Sequence, residues 1–204
     1  MISLHDVFCD ASILEVGANR GDISEQLLTF KPACLTVTEL SKGFCEVLKK
    51  RFKGNNVLVV NNDILDDSCL NDLATYNVVI LKEMLGALPF ETYDILFKNC
   101  IHLLKKNGKL VIVDYVPKVL YRQFFLSLIT NPMGIRVNLR RLIDNINVKK
   151  HLTNKQIRLF FPEERFQVNY QGRSDVLNAY DSFLHRVLER IIPCKYVAII
   201  ESVN

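Results

Sequence analysis

The strongest chemical signal in this chain is Ile13-Leu14-Glu15-Val16-Gly17-Ala18-Asn19-Arg20-Gly21. An apolar run over residues 12–16 meets a turn with glycines at 17 and 21, and residues 22–30 then read as a helix. A strand that passes through a glycine loop into a helix N-terminus presents backbone N–H groups and the positive end of a helix dipole at one point. That arrangement suits a nucleotide-like ligand. Two details separate it from a dinucleotide loop. An acid, Glu15, stands two residues before the first glycine, and Asn19 stands where a dinucleotide loop has its second glycine. Asn tolerates left-handed backbone angles better than most residues, so the turn can still form. Three further acids follow apolar runs: Glu39, Asp63 and Glu83.

The elements that must hold these groups alternate along the chain. Residues 34–39, 57–61, 77–81 and 109–114 read as strands, with 57–61 and 77–81 expected to be buried. Between them, residues 41–52 read as a helix with Ser41 as N-cap and Phe44, Val47, Leu48 and Phe52 on one face. Residues 70–74 read as a short helix and 91–105 as a longer one, followed by a turn at Asn107-Gly108. Short Val/Ile/Leu strands separated by helices predict a parallel sheet covered on both faces, doubly wound by the right-handed crossover rule. Further on, Thr153-Asn154-Lys155-Gln156 is a capping-box start for a helix to about residue 161. Residues 165–170 and 195–202 read as strands, and 174–191 as a helix.

Composition bounds the class. At 204 residues, 49% hydrophobic and 24% charged, the chain fits one globular domain, 1–204. No apolar run approaches the roughly 18 residues of a membrane span, and the N-terminus does not read as a signal peptide. The six cysteines are scattered with no C-x-x-C pair, so neither zinc nor a redox dithiol is indicated and no metal site is expected. A reducing, cytoplasmic setting is the natural expectation.

The pattern Glu15-x-Gly17-x-Asn19-x-Gly21 resembles motif I of class I S-adenosylmethionine-dependent methyltransferases, and the resemblance extends over residues 12–116 and more loosely to 203. It implies a Rossmann-like sheet of seven strands, mostly parallel with the last antiparallel. It implies S-adenosylmethionine as cofactor, bound by Glu15, Gly17, Ala18, Asn19 and Gly21, then by Glu39 and Leu40 at the ribose. Asp63 would sit near the adenine amino group, Ile64 would pack on the purine, and Leu81, at the end of the fourth strand, would also contact the cofactor. A carboxylate suits the ribose because it can accept from both hydroxyls. Lys105-Lys106-Asn107-Gly108-Lys109-Leu110 resembles the family's turn into strand five, and Asn77 stands where Asp is common. The Asn-Pro-Pro-Tyr or Asp-Pro-Pro-Tyr signature of amino-methylating enzymes is missing; the sequence there is Leu81-Lys82-Glu83-Met84-Leu85.

Residues 117–150 stand where small-molecule members carry a substrate-covering insertion, so a helical lid after strand five is expected. The segment holds seven basic residues against Asp144 alone, a net +6 in a chain of net +4. A basic lid suits an anionic acceptor or an anionic surface. It equally reads as a solvated helix face with Arg140 and Asp144 paired. Glu83 and Tyr115 are the catalytic candidates, and Tyr121, Arg122 and Arg136 the acceptor-binding ones. Glu83 reads equally as a cap of the next segment.

The expected function is methyl transfer to a small-molecule or lipid-like acceptor. A subfamily resemblance, Glu39…Phe44…Leu48…Arg51-Phe52 with Asp63 and Asp114-Tyr115-Val116-Pro117, is to bacterial phospholipid N-methyltransferases. Val119, Leu120, Phe124, Phe125, Leu128 and Ile129 beside Arg122 would then form an interfacial helix making peripheral membrane contact, or the wall of a pocket. The same half is similar to rRNA adenine dimethyltransferases, whose Asn-Leu-Pro-Tyr is absent. The alternatives are a non-catalytic methyltransferase-fold regulator, an RNA methyltransferase using the basic lid, and a NAD-dependent dehydrogenase, which lacks its G-x-G-x-x-G here. Nucleic acid is the less favoured partner because aromatic residues are sparse among the basic ones.

Overall fold

The computed structural model describes residues 3–115, 152–173 and 195–203. The expected lid 117–150 with Tyr121, Arg122 and Arg136, and the expected helix 174–191, lie outside the described residues; of Tyr115 only the backbone is described. The strands are β1 (Ser12–Val16), β2 (Cys34–Glu39), β3 (Val57–Asn61), β4 (Tyr76–Lys82), β5 (Leu104–Tyr115), β6 (Phe166–Arg173) and β7 (Lys195–Ser202). The helices are α1 (Leu4–Phe8), α2 (Asp22–Thr29), α3 (Lys42–Arg51), α4 (Tyr93–His102) and α5 (Asn154–Phe160).

The seven strands form one sheet in the order β3-β2-β1-β4-β5-β7-β6. The pairs from β3 to β5 are parallel, and β7 lies antiparallel between β5 and β6. The doubly wound, mostly parallel sheet with an antiparallel last strand is therefore as expected. Strand order reverses between β1 and β4, where a crevice opens at the carboxyl ends.

Alternation along each strand divides the core in two. Leu14, Val16, Val79, Leu81, Leu110 and Ile112 pack on one face with Leu96 and Cys100 of α4 and Ile157 of α5. Ile13, Leu35, Val37, Ile80, Val111 and Val113 pack on the other with Phe8, Leu27 and Leu48 from α1, α2 and α3. Burying each such side chain contributes about 1.5–3 kcal/mol, which fixes register because a one-residue slip would move every strand side chain to the opposite face. Phe97 of α4 packs edge-on against Phe160 and tilted against Phe161, so α5 is tied to the same layer. The Thr153 capping box that starts α5 is present.

Local expectations need several corrections. β3 is an edge strand and only half-buried, with Leu58 61% exposed, because only β2 pairs with it. On α3 the inward face is Cys45, Leu48 and Phe52, while Val47 faces out at 46% exposed. The short helix expected at 70–74 is a 3-10 turn, Asp67–Asp72, started by the Asp66 side chain accepting from Ser68 N. The expected turn at Asn107-Gly108 is an irregularity inside β5, with Asn107 at φ +61° and a register shift between Tyr76 and Val78. Asn77 stands at the amino end of β4, away from the crevice. Its Oδ1 accepts from Ser12 N and Ser12 Oγ, clasping β4 to β1.

Candidate functional site

The glycine loop bends because three of its residues take left-handed angles: Gly17 at φ +73°, Asn19 at +52° and Gly21 at +87°. The N–H groups of Gly17 and Ala18 both donate to Thr38 O on β2, and Gly21 N donates to Ala18 O. The two glycines have different duties. A Cβ on Gly17 would stand 3.6 Å from Met84 Sδ, so its cost is conformational. A Cβ on Gly21 would stand 2.6 Å from a Phe52 ring carbon and 2.8 Å from Leu48 Cδ2. Gly21 is therefore the place where α3 packs against the loop. Arg51 reinforces this junction, donating to Arg20 O and pairing with Asp22 at 2.7 Å and Glu25 at 2.8 Å.

Glu15 is 3% exposed at the floor of the crevice, and Ser24 Oγ donates to its Oε2 at 2.6 Å. Burial pushes its carboxyl up to about 7, opposed by the Ser24 hydrogen bond and the Lys82 charge. Glu39 has a different setting. Its Oε2 accepts from Asn19 N and its Oε1 from Ser41 N, each at 2.9 Å. The carboxylate thus pins the loop to the end of β2, and each oxygen keeps a second lone pair for a ligand. Past β4, Lys82 Nζ lies 2.7 Å from Glu83 Oε1, with the lysine side chain 8% exposed. Glu83 is held at φ +51°, its N–H donating to Val113 O.

These groups surround a cleft of about 680 Å³ at the strand reversal. Of the expected residues, Glu15, Gly17, Ala18, Asn19, Glu39 and Glu83 line it. Leu40, Gly21, Asp63, Ile64 and Leu81 do not. Leu40 is 66% exposed just past Glu39. Asp63 accepts from Leu65 N, closing its own turn. Ile64 is a core residue at 3% exposed, and Leu81 is buried in β4. Tyr115 ends β5. Beside it Asp114 is buried, opposite Tyr196 of β7, and burial raises the Tyr93 and Tyr196 hydroxyls above the ordinary phenol range. Sequence reasoning did not place Arg20, Phe44, Lys82 or Met84 in the site, yet all four line the cleft. For Lys82 a signal was available, since it ends an apolar strand neighbouring β1. For Phe44 and Arg20, whose guanidinium lies 6.0 Å from the Phe44 ring centre, the loop and α3 had to be brought together first.

Comparison with known proteins agrees with this geometry. Residues 13–108 match a family described as Methyltransferase domain. Ribosomal RNA small subunit methyltransferase A of Hydrogenobaculum sp. (strain Y04AAS1) is 29% identical over 111 residues, 54% of this chain and 40% of that protein. The chain thus spans well under half the length of the curated relative it matches. Among solved structures, the plantazolicin methyltransferase BamL, in complex with a triazolic desmethylPZN analog and SAH, superposes with a TM-score of 0.64 at 14% identity, over 95% of this chain and 77% of that one. The N-methyltransferase NodS from Bradyrhizobium japonicum WM9, in complex with S-adenosyl-L-homocysteine, gives 0.60 at 14% identity, over 96% and 80%. The chain has the Rossmann-like fold of these solved methyltransferases, and the part that matches the methyltransferase-domain family, residues 13–108, holds β1 to β4 and the glycine loop. Among the described residues no helix is long and apolar enough to cross a membrane.

Proposed function

We propose that this chain transfers a methyl group from S-adenosylmethionine to a small-molecule acceptor. The observation that carries the reading is the cleft at the strand reversal. It has a buried carboxylate, Glu15, on its floor, a left-handed glycine loop as one wall, and the anchored carboxylate of Glu39 at one end. The residues fit the cofactor. Glu15 offers a negative charge to the ammonium of its amino-acid end, and Glu39 offers lone pairs to the ribose hydroxyls. The space above Gly17 and Ala18 admits a chain that any larger side chain would displace. Leu40 and Asp63, just past the ends of β2 and β3, are the groups for the adenine. Ile64 would support them from the core, and Leu81 would support the loop from β4.

The cofactor brings a sulfonium-activated methyl group. What remains for the protein is alignment of donor and acceptor, which can be worth many orders of magnitude in effective concentration. Glu83 and Tyr115 stand at the ends of β4 and β5, on the acceptor side. Glu83 is assigned to accept a proton or hydrogen bond from the acceptor, with Lys82 holding its carboxylate in place. Tyr121, Arg122 and Arg136 are assigned to the acceptor from the basic segment 117–150, which favours an acceptor with an anionic group.

The rRNA methyltransferase relative supports a second reading, methylation of RNA, to which the basic segment would contribute. The sequence after β4, Leu81-Lys82-Glu83-Met84, offers no Asn-Leu-Pro-Tyr to hold a flipped adenine. Isothermal titration with S-adenosylhomocysteine tests the cofactor. Labelled methyl transfer to metabolite extracts, lipid extracts and total RNA tests the acceptor. Transfer to RNA alone would replace the small-molecule reading, and no binding of S-adenosylhomocysteine would overturn both.

A further inference from the structure

Among the described residues that line the cleft, one cation, Lys82, lies beside the buried acid Glu15. Glu15 pairs with Ile80 in the parallel register of β1 and β4. Lys82 is two residues beyond Ile80, so it projects from the same face of the sheet as Glu15, as its diagonal neighbour. The two are close enough for the Lys82 charge to act on the Glu15 carboxyl. Both line the cleft, as do Gly17 and Ala18 of the loop between β1 and α2. Among the described residues the other basic one lining it, Arg20, stands over the Phe44 ring.

An acid and an ammonium side by side on one face present opposite charges to whatever rests on them. A free amino-acid group, with its α-ammonium and α-carboxylate on one carbon, has the matching pair. We propose that Lys82 binds the α-carboxylate of the cofactor's methionyl end, while Glu15 takes the α-ammonium. The inference rests on the cofactor reading above and deepens it. An ammonium has three N–H donors, so Lys82 can serve Glu83 and a ligand carboxylate together. Glu83, at φ +51° with its N–H held by Val113 O, sets the lysine's position from the acceptor side. The ion pair thereby joins the tail of the donor to the site of the acceptor.

The test compares S-adenosylhomocysteine with its decarboxylated analogue by isothermal titration, on the unaltered chain and on Lys82→Met. On the unaltered chain the carboxylate should be worth about tenfold or more in affinity, as expected for a hydrogen bond between charged groups. Lys82→Met should lose that factor for S-adenosylhomocysteine and bind the analogue nearly as before, and Lys82→Arg should recover part of it. Equal affinity of the unaltered chain for the two ligands would overturn the assignment without any variant. A Lys82→Met protein that keeps the carboxylate's advantage, or weakens for both ligands alike, would overturn it too and make Lys82 a structural counter-ion. If the unaltered chain binds neither ligand, the cofactor reading falls first, a result distinct from either of these.

Discussion

Glu15 and Glu39 are two carboxylates of one cleft with opposite settings. Glu39 is fixed by two backbone N–H groups at the rim, so it is preorganised to accept further hydrogen bonds. Glu39→Ala should weaken S-adenosylhomocysteine binding by about 1.5–3 kcal/mol. Part of that loss would come through Asn19, whose N–H would lose its partner. Wild-type affinity in a titration would show that the acid serves the loop alone. Glu15 is buried, and burial raises its carboxyl from 4.5 to about 7. A carboxyl raised in the folded state binds its proton more tightly there than in the unfolded chain. Its contribution to stability is thus complete below the unfolded value and lost as pH rises through about 7. Glu15→Gln should remove that loss, so the unliganded variant should gain in melting temperature relative to the parent between pH 5 and pH 8. Ligand binding should run the other way. If the carboxylate receives the cofactor's ammonium, affinity should rise with pH up to about 7, with a proton released on binding. A pH-independent affinity would remove Glu15 from the ligand.

At the scale of elements, the site is a junction of β1, α2, β2 and α3. The loop between β1 and α2 hangs from Thr38 O and Glu39, and α3 closes on it through Gly21, Leu48 and Phe52. Arg51 fastens the end of α3 to Arg20, Asp22 and Glu25. The two glycines should therefore fail differently. Gly21→Ala forces a Cβ into Phe52 and Leu48 and should cost about 1–3 kcal/mol for overpacking, beyond the backbone strain. Gly17→Ala should carry only the strain of a left-handed residue, about 1–2 kcal/mol. Gly17→Leu should also block the ligand while the fold remains. Chemical denaturation separates the first pair, and titration of a folded Gly17→Leu protein tests the last. Equal destabilisation by the two alanines would mean that α3 gives way at Gly21.

For the whole molecule, the sheet supplies rigidity and the cleft supplies linkage. Strands β1, β2, β4 and β5 are buried on both faces, whereas the loop and the cleft residues stand at their carboxyl ends. A ligand that binds only the folded state stabilises it by mass action. S-adenosylhomocysteine at about a hundred times its dissociation constant should add about 2.7 kcal/mol, read as an upward shift in melting temperature. NAD at the same concentration should produce no shift, because the loop has Asn19 where a dinucleotide site needs a second glycine.

The sequence by itself determined the sheet and the loop. Residues 78–81 are a short run of β-branched and aliphatic residues between polar neighbours, which favours a buried strand, and the spacing Glu15-Gly17-Asn19-Gly21 fixes a turn whose angles few other residues accept. These are local properties, decided by burial and backbone sterics within a few residues. Only the tertiary structure decided what meets what. β3 lost its second neighbour and became an edge, Val47 gave its inward place to Cys45, and Ile64 went into the core rather than the cleft. Lys82 came beside Glu15 and Phe44 came beneath Arg20, although neither neighbour is close in the chain. Parallel register and helix packing join residues tens of positions apart, and no periodicity within either segment encodes which partner the other will present.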